Sequence, residues 1–530
     1  MEANLNDYPY PSQRRVILGK RYAVATSQSL GTLAGMEMFL AGGNAVDAAI
    51  ATAIALTVVE PTSNGIGSDA FALVWDGKLH GLNASGQSAQ NLPLDRFSQM
   101  QAMPRLGWLT VTVPGAVSAW QRLWERWGKL PFEQLFAPAI RYAQEGFPVS
   151  PVTAKAWKQA EEIYLPLTSP EFQPFKQVFF PNHRAPETGE IWHSPAHAKT
   201  LREIAASGGE SFYRGEIAVA IANFADQTGG FLTTSDLASH QPLWVDPIST
   251  QYRQWQVWEI PPNGQGIAAL MALNILEGFE LANYSRDSAN SFHWQIEAMK
   301  LAFADVYRHV ADANFMEVAV EQLLDKTYAS DRQQLIQEKA IPVATSGLPK
   351  GETVYFCTSD RDLMVSYIQS NFDGFGSGIL IPNTGISLQN RASGFTLEDG
   401  HPNRVAPAKR PFHTIIPGFL TQDGKPLGPF GVMGGPMQPQ GHLQTVVNLV
   451  DYQMNPQTAL DAPRWRFLTG NNVLLEKGVA SHVVEELIKR GHNIQMAPES
   501  AFGKGQVILQ QGDTFIAASE PRADGLALAY

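Results

Sequence analysis

The sequence predicts a layered α/β or α+β domain, and three observations carry that expectation. Apolar residues recur at helical spacing in four segments, short β-branched and aromatic runs fill the gaps, and no repeat of about 20–50 residues breaks the order. Strand-like runs lie near both ends of the chain, with helical segments clustered between them.

The first helical segment, residues 31–41, carries Leu33, Met36, Met38 and Leu40 and stops at Gly42-Gly43, which suits a C-terminal cap. Asn44 followed by Asp47 has the spacing of a capping arrangement for a second helix, 45–59. That helix is almost all Ala, Ile, Leu, Val and Thr, has no charged face after Asp47 and meets Pro61, so it is expected to be buried. In the third, Phe292, Ile296, Met299, Phe303, Val306 and Val310 form one apolar stripe. A late helix, 481–490, is expected to have a serine cap and to end at Gly491. Strands are expected at 70–75, 256–260, 354–358, 365–368 and 506–510. The stretch 339–352, KAIPVATSGLPKGE, is polar and aperiodic and carries Pro342, Gly347, Pro349 and Gly351. A loop this long inside a domain is functional or disordered, and its composition suits proteolysis. It ends where a strand-like run starts at Thr353.

The chain has 530 residues, 44% hydrophobic and 17% charged, enough apolar content for a sizeable core. Its 45 glycines and 35 prolines follow no period, which excludes collagen, a low-complexity chain and a coiled coil. A net charge of −11 provides no field that would steer nucleic acid. The single cysteine, Cys357, can form neither an internal disulfide nor a multi-cysteine metal site. The first 20 residues lack the apolar core of a signal peptide, and the longest mostly apolar run, 48–59, is too short to span a bilayer. A soluble, cytoplasmic protein is the expectation.

Familiar motifs are absent: there is no phosphate loop, no H-E-x-x-H helix and no G-x-S-x-G elbow. Gly374, Gly376 and Gly378 read as a turn between strands rather than a dinucleotide loop. His193 and His197 are spaced for a metal, but Pro195 sits between them and no third ligand is near. His293 and Glu297 share a helix face and read as an exposed or core-edge pair rather than a ligand pair, and Tyr252, Trp255 and Trp258 as core packing.

A series of ordered blocks goes further. They are AGGNAVDAAIATAIALTVVEPTSNGIGSDAF at 41–71, Val113-Pro114-Gly115, SFYRGEIAVAI at 211–221, GGFLTTSDLASH at 229–240 and IPPNGQG at 260–266. IEAMKLAFAD at 296–305, FGSGILIPNTGISLQN at 375–390, KRPFHTIIP at 409–417 and LDAPRWRF at 460–467 follow. Over nearly its whole length the chain resembles the γ-glutamyltransferase (glutathione hydrolase) family. The resemblance implies one N-terminal-nucleophile hydrolase domain of the α+β class, a four-layer αββα sandwich with two stacked antiparallel sheets. It implies a precursor that cleaves itself before a threonine, which then becomes the nucleophile. Thr353 followed by Asp360 matches the family spacing. Cleavage between Glu352 and Thr353 would give a large chain, 1–352, and a small chain, 353–530.

This chemistry is physically coherent. A threonine hydroxyl is a poor nucleophile without a base. The amine freed by cleavage has an ordinary pKa of about 7.7–8.0 and can take the hydroxyl proton. By resemblance, the backbone N–H groups of Gly434 and Gly435 form the oxyanion hole.

Other family contacts are replaced. The arginine that grips the glutamyl α-carboxylate falls at Ser85, with no arginine near it in the chain, and the aspartate that receives the α-amine falls at Gly394. The two serines that follow in the family map to His413 and Thr414, and a threonine that supports the nucleophile falls near Gln369, where two residues are lost. The glycine-rich turn of the family reads GIGSDAF here. Asn371, Arg391, His413 and Thr414 are therefore the substrate-binding candidates, and Arg391 replaces the lost ionic contacts with one that favours an acyl group bearing a free carboxylate. The segment 394–410 is short, so an open cleft is expected, with water or large acceptors resolving the acyl-enzyme.

The leading expectation is cleavage of γ-glutamyl amides such as glutathione through an acyl-enzyme on Thr353. The alternatives are an amide hydrolase for another acyl group, like the glutaryl (cephalosporin) acylases, and an unprocessed binding protein. The resemblance implies no metal, no cofactor, no nucleic acid and no membrane. The expected partners are a small acyl-amide substrate and the two chains of one precursor, and a dimer of such pairs is allowed.

Overall fold

The computed structural model describes residues 14–342 and 352–530. Residues 1–13, within the polar N-terminal stretch, and 343–351, most of the polar linker, lie outside the described residues.

Two seven-stranded sheets form the centre, and every strand pair in them is antiparallel. One runs in the order Leu526–Ala529, Tyr22–Thr26, Glu352–Asp360, Met364–Phe372, Asp69–Trp75, Leu79–Ala84, Leu243–Val245. The other runs Ile17–Gly19, Thr514–Ser519, Lys504–Gln511, Lys425–Met433, Gly418–Gln422, Trp255–Glu259, Ile248–Tyr252.

The side-chain alternation of the strand Glu352–Asp360 shows how the layers stack. Tyr355 and Cys357 enter the layer between the sheets with Phe71, Ile368, Phe419 and Ile508. Val354 and Phe356 point the other way, into a core with the helix Ala45–Val59. On the outer face of the second sheet, helices Gly266–Leu276, Ala289–His309 and Met437–Val450 share a further core. The order is helix, sheet, sheet, helix: the α+β sandwich expected of an N-terminal-nucleophile hydrolase.

Local sequence explains most of these elements. Ala45–Val59 is buried throughout, and its Asn44/Asp47 capping box is formed. Asp47 also accepts from the Lys129 and Leu130 N–H groups, which accounts for the one buried charge on this helix. The helix Ser29–Leu40 begins two residues earlier than expected, because the Gln28 side chain caps it. Its contact face also differs: Leu33 and Leu40 are exposed. Gly31 and Gly35 face Leu56 and Thr52 instead, so small residues allow the two helices to approach closely. The apolar stripe on Ala289–His309 is buried as expected. Ser481 is the first residue of the helix Ser481–Lys489, not its cap; Ala480 holds that position and offers no side-chain bond.

All five expected strands exist. Those missed include Tyr22–Thr26, Leu79–Ala84 and Lys425–Met433, whose Ala, Gly and Pro content hides their period. Tyr252 is buried and donates to Asp451 at 2.7 Å, which agrees with core packing. His193 is exposed while His197 is buried against Ser194, so the pair binds nothing together. Gly374, Gly376 and Gly378 all have positive φ and turn the chain after Phe372. Among the described residues no helix is long and apolar enough to cross a membrane.

Two glycines are tight points beside the catalytic sheet. A Cβ at Gly115 would run into the Ala84 carbonyl, and one at Gly86 into the Val113 carbonyl. Gly115→Ala should cost about 1–3 kcal/mol through forced backbone movement, read as a lower Tm. An unchanged Tm would show that this contact yields freely.

Candidate active site

Thr353 stands near the start of the strand Glu352–Asp360, 2% exposed. Its neighbour strand, Met364–Phe372, carries a bulge at this point. Glu352 pairs with Phe372 but Val354 pairs with Gln369, so Ser370 and Asn371 share the position opposite Thr353. Phe372 closes the bulge at φ 78°, and its N–H donates to Ser370 Oγ at 2.8 Å. The Thr353 hydroxyl donates to Ser370 Oγ at 3.2 Å and accepts from Gln438 Nε2 at 3.3 Å. Gln438 is oriented in turn by the Ile416 N–H, which donates to its Oε1 at 3.0 Å.

Sequence reasoning looked for the supporting hydroxyl at Gln369, one position early. Gln369 instead bonds to Asn64, Trp120 and Tyr367. The register set by the Val354–Gln369 pair places Ser370, not Gln369, opposite Thr353. Gln438 was missed because nothing local distinguishes it.

Gly434 and Gly435 lie between the strand Lys425–Met433 and the helix Met437–Val450, both at positive φ (130° and 58°). A β-carbon would strain both. Neither N–H has an acceptor among the described residues. Both precede a helix N-terminus, where the peptide dipoles favour negative charge. Two unpaired donors there suit a developing oxyanion. Asp360, at the far end of the same strand, accepts from the Ala45, Asp362 and Leu363 N–H groups and shapes the turn rather than the chemistry.

The other candidates form a buried network. Arg391 is 0% exposed; its Nη1 donates to Thr414 Oγ1 at 2.8 Å, and its guanidinium stacks 4.4 Å from the Phe372 ring centroid. Its Nε and Nη2 have no hydrogen-bond partner, and its nearest carboxylate, Asp69, is 3.9 Å away. His413 lies 3.1 Å from Asp69 and stacks on Phe71. Burial, reinforced by Arg391, holds its pKa well below the usual range, so the ring is neutral and Nε2–H donates to Asp69. Burial also pushes the Asp69 carboxyl up to about 7, against the opposing pull of Arg391. Asn371 accepts from Ser68 and donates to Ser387 at 2.8 and 3.1 Å.

At Ser85 space supplies what the chain order lacks. Arg410 reaches over and donates Nε–H to the Ser85 carbonyl at 3.0 Å. The expectation that no arginine is near holds along the sequence only.

Two cavities flank the Gly434–Pro436 turn. The larger, about 540 Å³, is lined by Arg105, Phe372, Gly394, Thr414 and Pro436 among others. The smaller, about 340 Å³, contains Thr353 and Gly434, with Ser63, Lys155, Lys477 and Lys504 on its walls. Exposed Glu398 in one and Lys155 in the other place both at the surface, in keeping with an open cleft. Of the substrate-binding candidates, Thr414 lines a cavity; Arg391 stands behind it, and Asn371 and His413 are packed within the wall.

One cluster has metal-ligand types: His293, Glu297 and His492, with one ligand atom from each within 4.8 Å of the others. Lys300 already lies 2.8 Å from Glu297, and the two imidazoles are hydrogen-bonded at 2.8 Å. This donor set fits an ion pair beside a histidine pair, not a cation site.

Asp69 gives a pH test. Its carboxyl holds a proton more tightly folded, to about pH 7, than at the ordinary value of 3.8. Its contribution to stability is therefore complete below about 3.8 and lost as pH rises through about 7. Asp69→Asn should flatten the decline of Tm across that window relative to the unaltered chain. Parallel Tm profiles would mean that Asp69 does not titrate there.

Comparisons with known proteins agree with this geometry. The sequence model of the family described as Gamma-glutamyltranspeptidase matches residues 31–530. The chain is 33% identical to the glutathione hydrolase-like YwrD proenzyme of Bacillus subtilis (strain 168) over 525 residues, covering 97% of this chain and 99% of that protein. It is 31% identical to the acylase ACY 1 proenzyme of Pseudomonas sp. (strain SE83), covering 98% and 95%. The crystal structure of a cephalosporin acylase from Bacillus halodurans superposes with a TM-score of 0.96 at 51% identity, covering 100% of this chain and 99% of that one. With two stacked antiparallel sheets, a buried threonine beside an unpaired pair of glycine N–H groups, and a family match across most of its length, the chain belongs to the gamma-glutamyltranspeptidase family of enzymes.

Proposed function

We propose that the chain is a self-processing threonine amidohydrolase and acyltransferase that cleaves γ-glutamyl or related amides through an acyl-enzyme on Thr353. The observation that carries this reading is the Thr353 hydroxyl held between Ser370 and Gln438, in the same cavity as the Gly434 turn.

Cleavage of the Glu352–Thr353 bond supplies the base. The freed α-amine takes the hydroxyl proton as Oγ1 attacks the substrate carbonyl. The carbonyl oxygen becomes an oxyanion stabilised by the Gly434 and Gly435 N–H groups. On collapse the C–N bond breaks and the amine returns the proton to the leaving nitrogen. Water, or an acceptor amine, then attacks the ester by the same steps in reverse, and Thr353 regains its proton. The Gln438 N–H lowers the cost of negative charge on Oγ1, and Ser370 aims the hydroxyl.

Thr414 presents the acyl pocket with a hydroxyl whose oxygen already accepts from Arg391, which leaves its own O–H free to donate to a carboxylate. Arg391 thus acts through Thr414 and by its charge, rather than gripping the carboxylate itself.

A second reading has specific support. Ser85 and Gly394 stand where the family's arginine and aspartate are expected, and similarity to a cephalosporin acylase is high over the whole chain. The acyl group would then be a dicarboxylic one without an α-amine, such as glutaryl.

Two measurements test these readings. Intact mass should show chains of 352 and 178 residues, about 38 and 20 kDa of the 58.0 kDa precursor, the smaller beginning at Thr353. Thr353→Ala should remain a single chain; cleavage that persists in this variant refutes the assignment. With processed enzyme, γ-glutamyl- and glutaryl-anilides are compared side by side. Arg391→Ala should lower kcat/KM for either acyl group at least about tenfold, as expected for losing a buried charged contact, and should narrow the advantage of acidic over neutral acyl groups. An unchanged ranking removes Arg391 from acyl recognition.

A further inference from the structure

We propose that the smaller cavity above Thr353 is an anion-binding subsite for the amine half of the substrate, formed by Lys155, Lys477 and Lys504. The proposal rests on the acyl-transfer reading of Thr353 given above.

The side of the bond follows from the two cavities. The larger one meets Thr414 and Gly394, the positions that by resemblance receive the acyl group. The smaller one meets the turn at Gly434 rather than at Pro436 and contains Thr353 itself. A carbonyl seated at the glycine N–H groups with its acyl chain in the larger cavity directs its nitrogen substituent into the smaller.

The charge of the smaller cavity is unbalanced. Lys155 projects from the helix Pro151–Tyr164, Lys477 follows the strand Asn472–Glu476, and Lys504 begins the strand Lys504–Gln511. Cations thus enter from three separate elements. Lys155 and Lys477 are exposed and have no ion-pair partner among the described residues. Lys504 has its nearest carboxylate, Glu60, 3.9 Å away. That carboxylate is already engaged by the hydroxyls of Ser27 and Ser63 at 2.6 and 3.3 Å. The fourth cation of the lining, Arg522, is neutralised by Glu476 and Glu520, each at 2.6 Å. Glu499 is the one acidic side chain of the described lining, against two lysines without an ion pair and Lys504, whose pair with Glu60 is long.

Such a cleft favours a leaving amine, or an acceptor amine, that carries a carboxylate. The attraction is expected to be moderate, because two of the lysines are solvent-exposed and salt screens them.

The test uses processed enzyme, verified by mass, and two chromogenic leaving groups that differ by one carboxylate. γ-Glutamyl-4-nitroanilide is compared with γ-glutamyl-3-carboxy-4-nitroanilide, and the same pair is made with the glutaryl group. The carboxylated member should be favoured about five- to tenfold in kcat/KM at low salt, the range two or three exposed charge pairs supply. The preference should shrink as sodium chloride is raised and fall toward one in the Lys155→Met/Lys477→Met variant. Equal kcat/KM for the two leaving groups overturns the subsite alone. So does a preference that survives both salt and the double variant. If no anilide of either acyl series is turned over by enzyme with a free Thr353, the acyl-transfer reading fails and the subsite with it.

Discussion

The site depends on one constraint: Thr353 must occupy the end of a strand that is buried on both faces while facing a bulge in the neighbouring strand. Pairing with Met364–Phe372 fixes the strand's register, and packing of Val354 and Tyr355 into different cores prevents it from slipping. The ladder that pairs Val354 with Gln369 brings Ser370 opposite Thr353, and the bulge adds Asn371 at the same position.

The same sheet shows why a chain cut at the proposed bond would stay whole. Tyr22–Thr26 and Asp69–Trp75 come from before the Glu352–Thr353 bond, and Glu352–Asp360 and Met364–Phe372 extend beyond it. They alternate in one antiparallel ladder. Helix Ala45–Val59, also from before the bond, covers Val354 and Phe356 from after it. Breaking one peptide bond at a strand terminus removes none of this burial, so the energy that holds the two parts together is the energy that folded them.

Electrostatics behind the acyl pocket run against stability. Arg391 is buried with two guanidinium nitrogens, Nε and Nη2, unpaired, and Asp69 is buried with one oxygen unpaired. Each lost hydrogen bond of this kind costs more than a surface ion pair returns. Aromatic stacking on Phe372, whose ring also faces Arg105, offsets part of that cost. The residual strain is concentrated beside Thr353, at Phe372 with its left-handed backbone, a kind of strain that functional sites commonly carry.

Periodicity and capping in the sequence determined the long buried helices, and ordered blocks of residues determined the family and pointed to Thr353 and the glycine pair. These are legible because they are local: a capping box spans four residues, and a wholly apolar helix declares its burial without reference to its partners. The strands rich in Ala, Gly and Pro were not legible, because their sheet membership comes from neighbours far along the chain. Three features of the site came only from tertiary structure. Ser370, not Gln369, meets Thr353 because the ladder pairs Gln369 with Val354, a register that no local pattern encodes. Gln438 and Arg410 reach Thr353 and Ser85 from 85 and 325 positions away. The three lysines of the smaller cavity lie on separate elements and share a wall only after those elements have packed. Sequence spacing sets which groups a segment can offer; which groups converge is set by how the two sheets and their helices close around one buried strand.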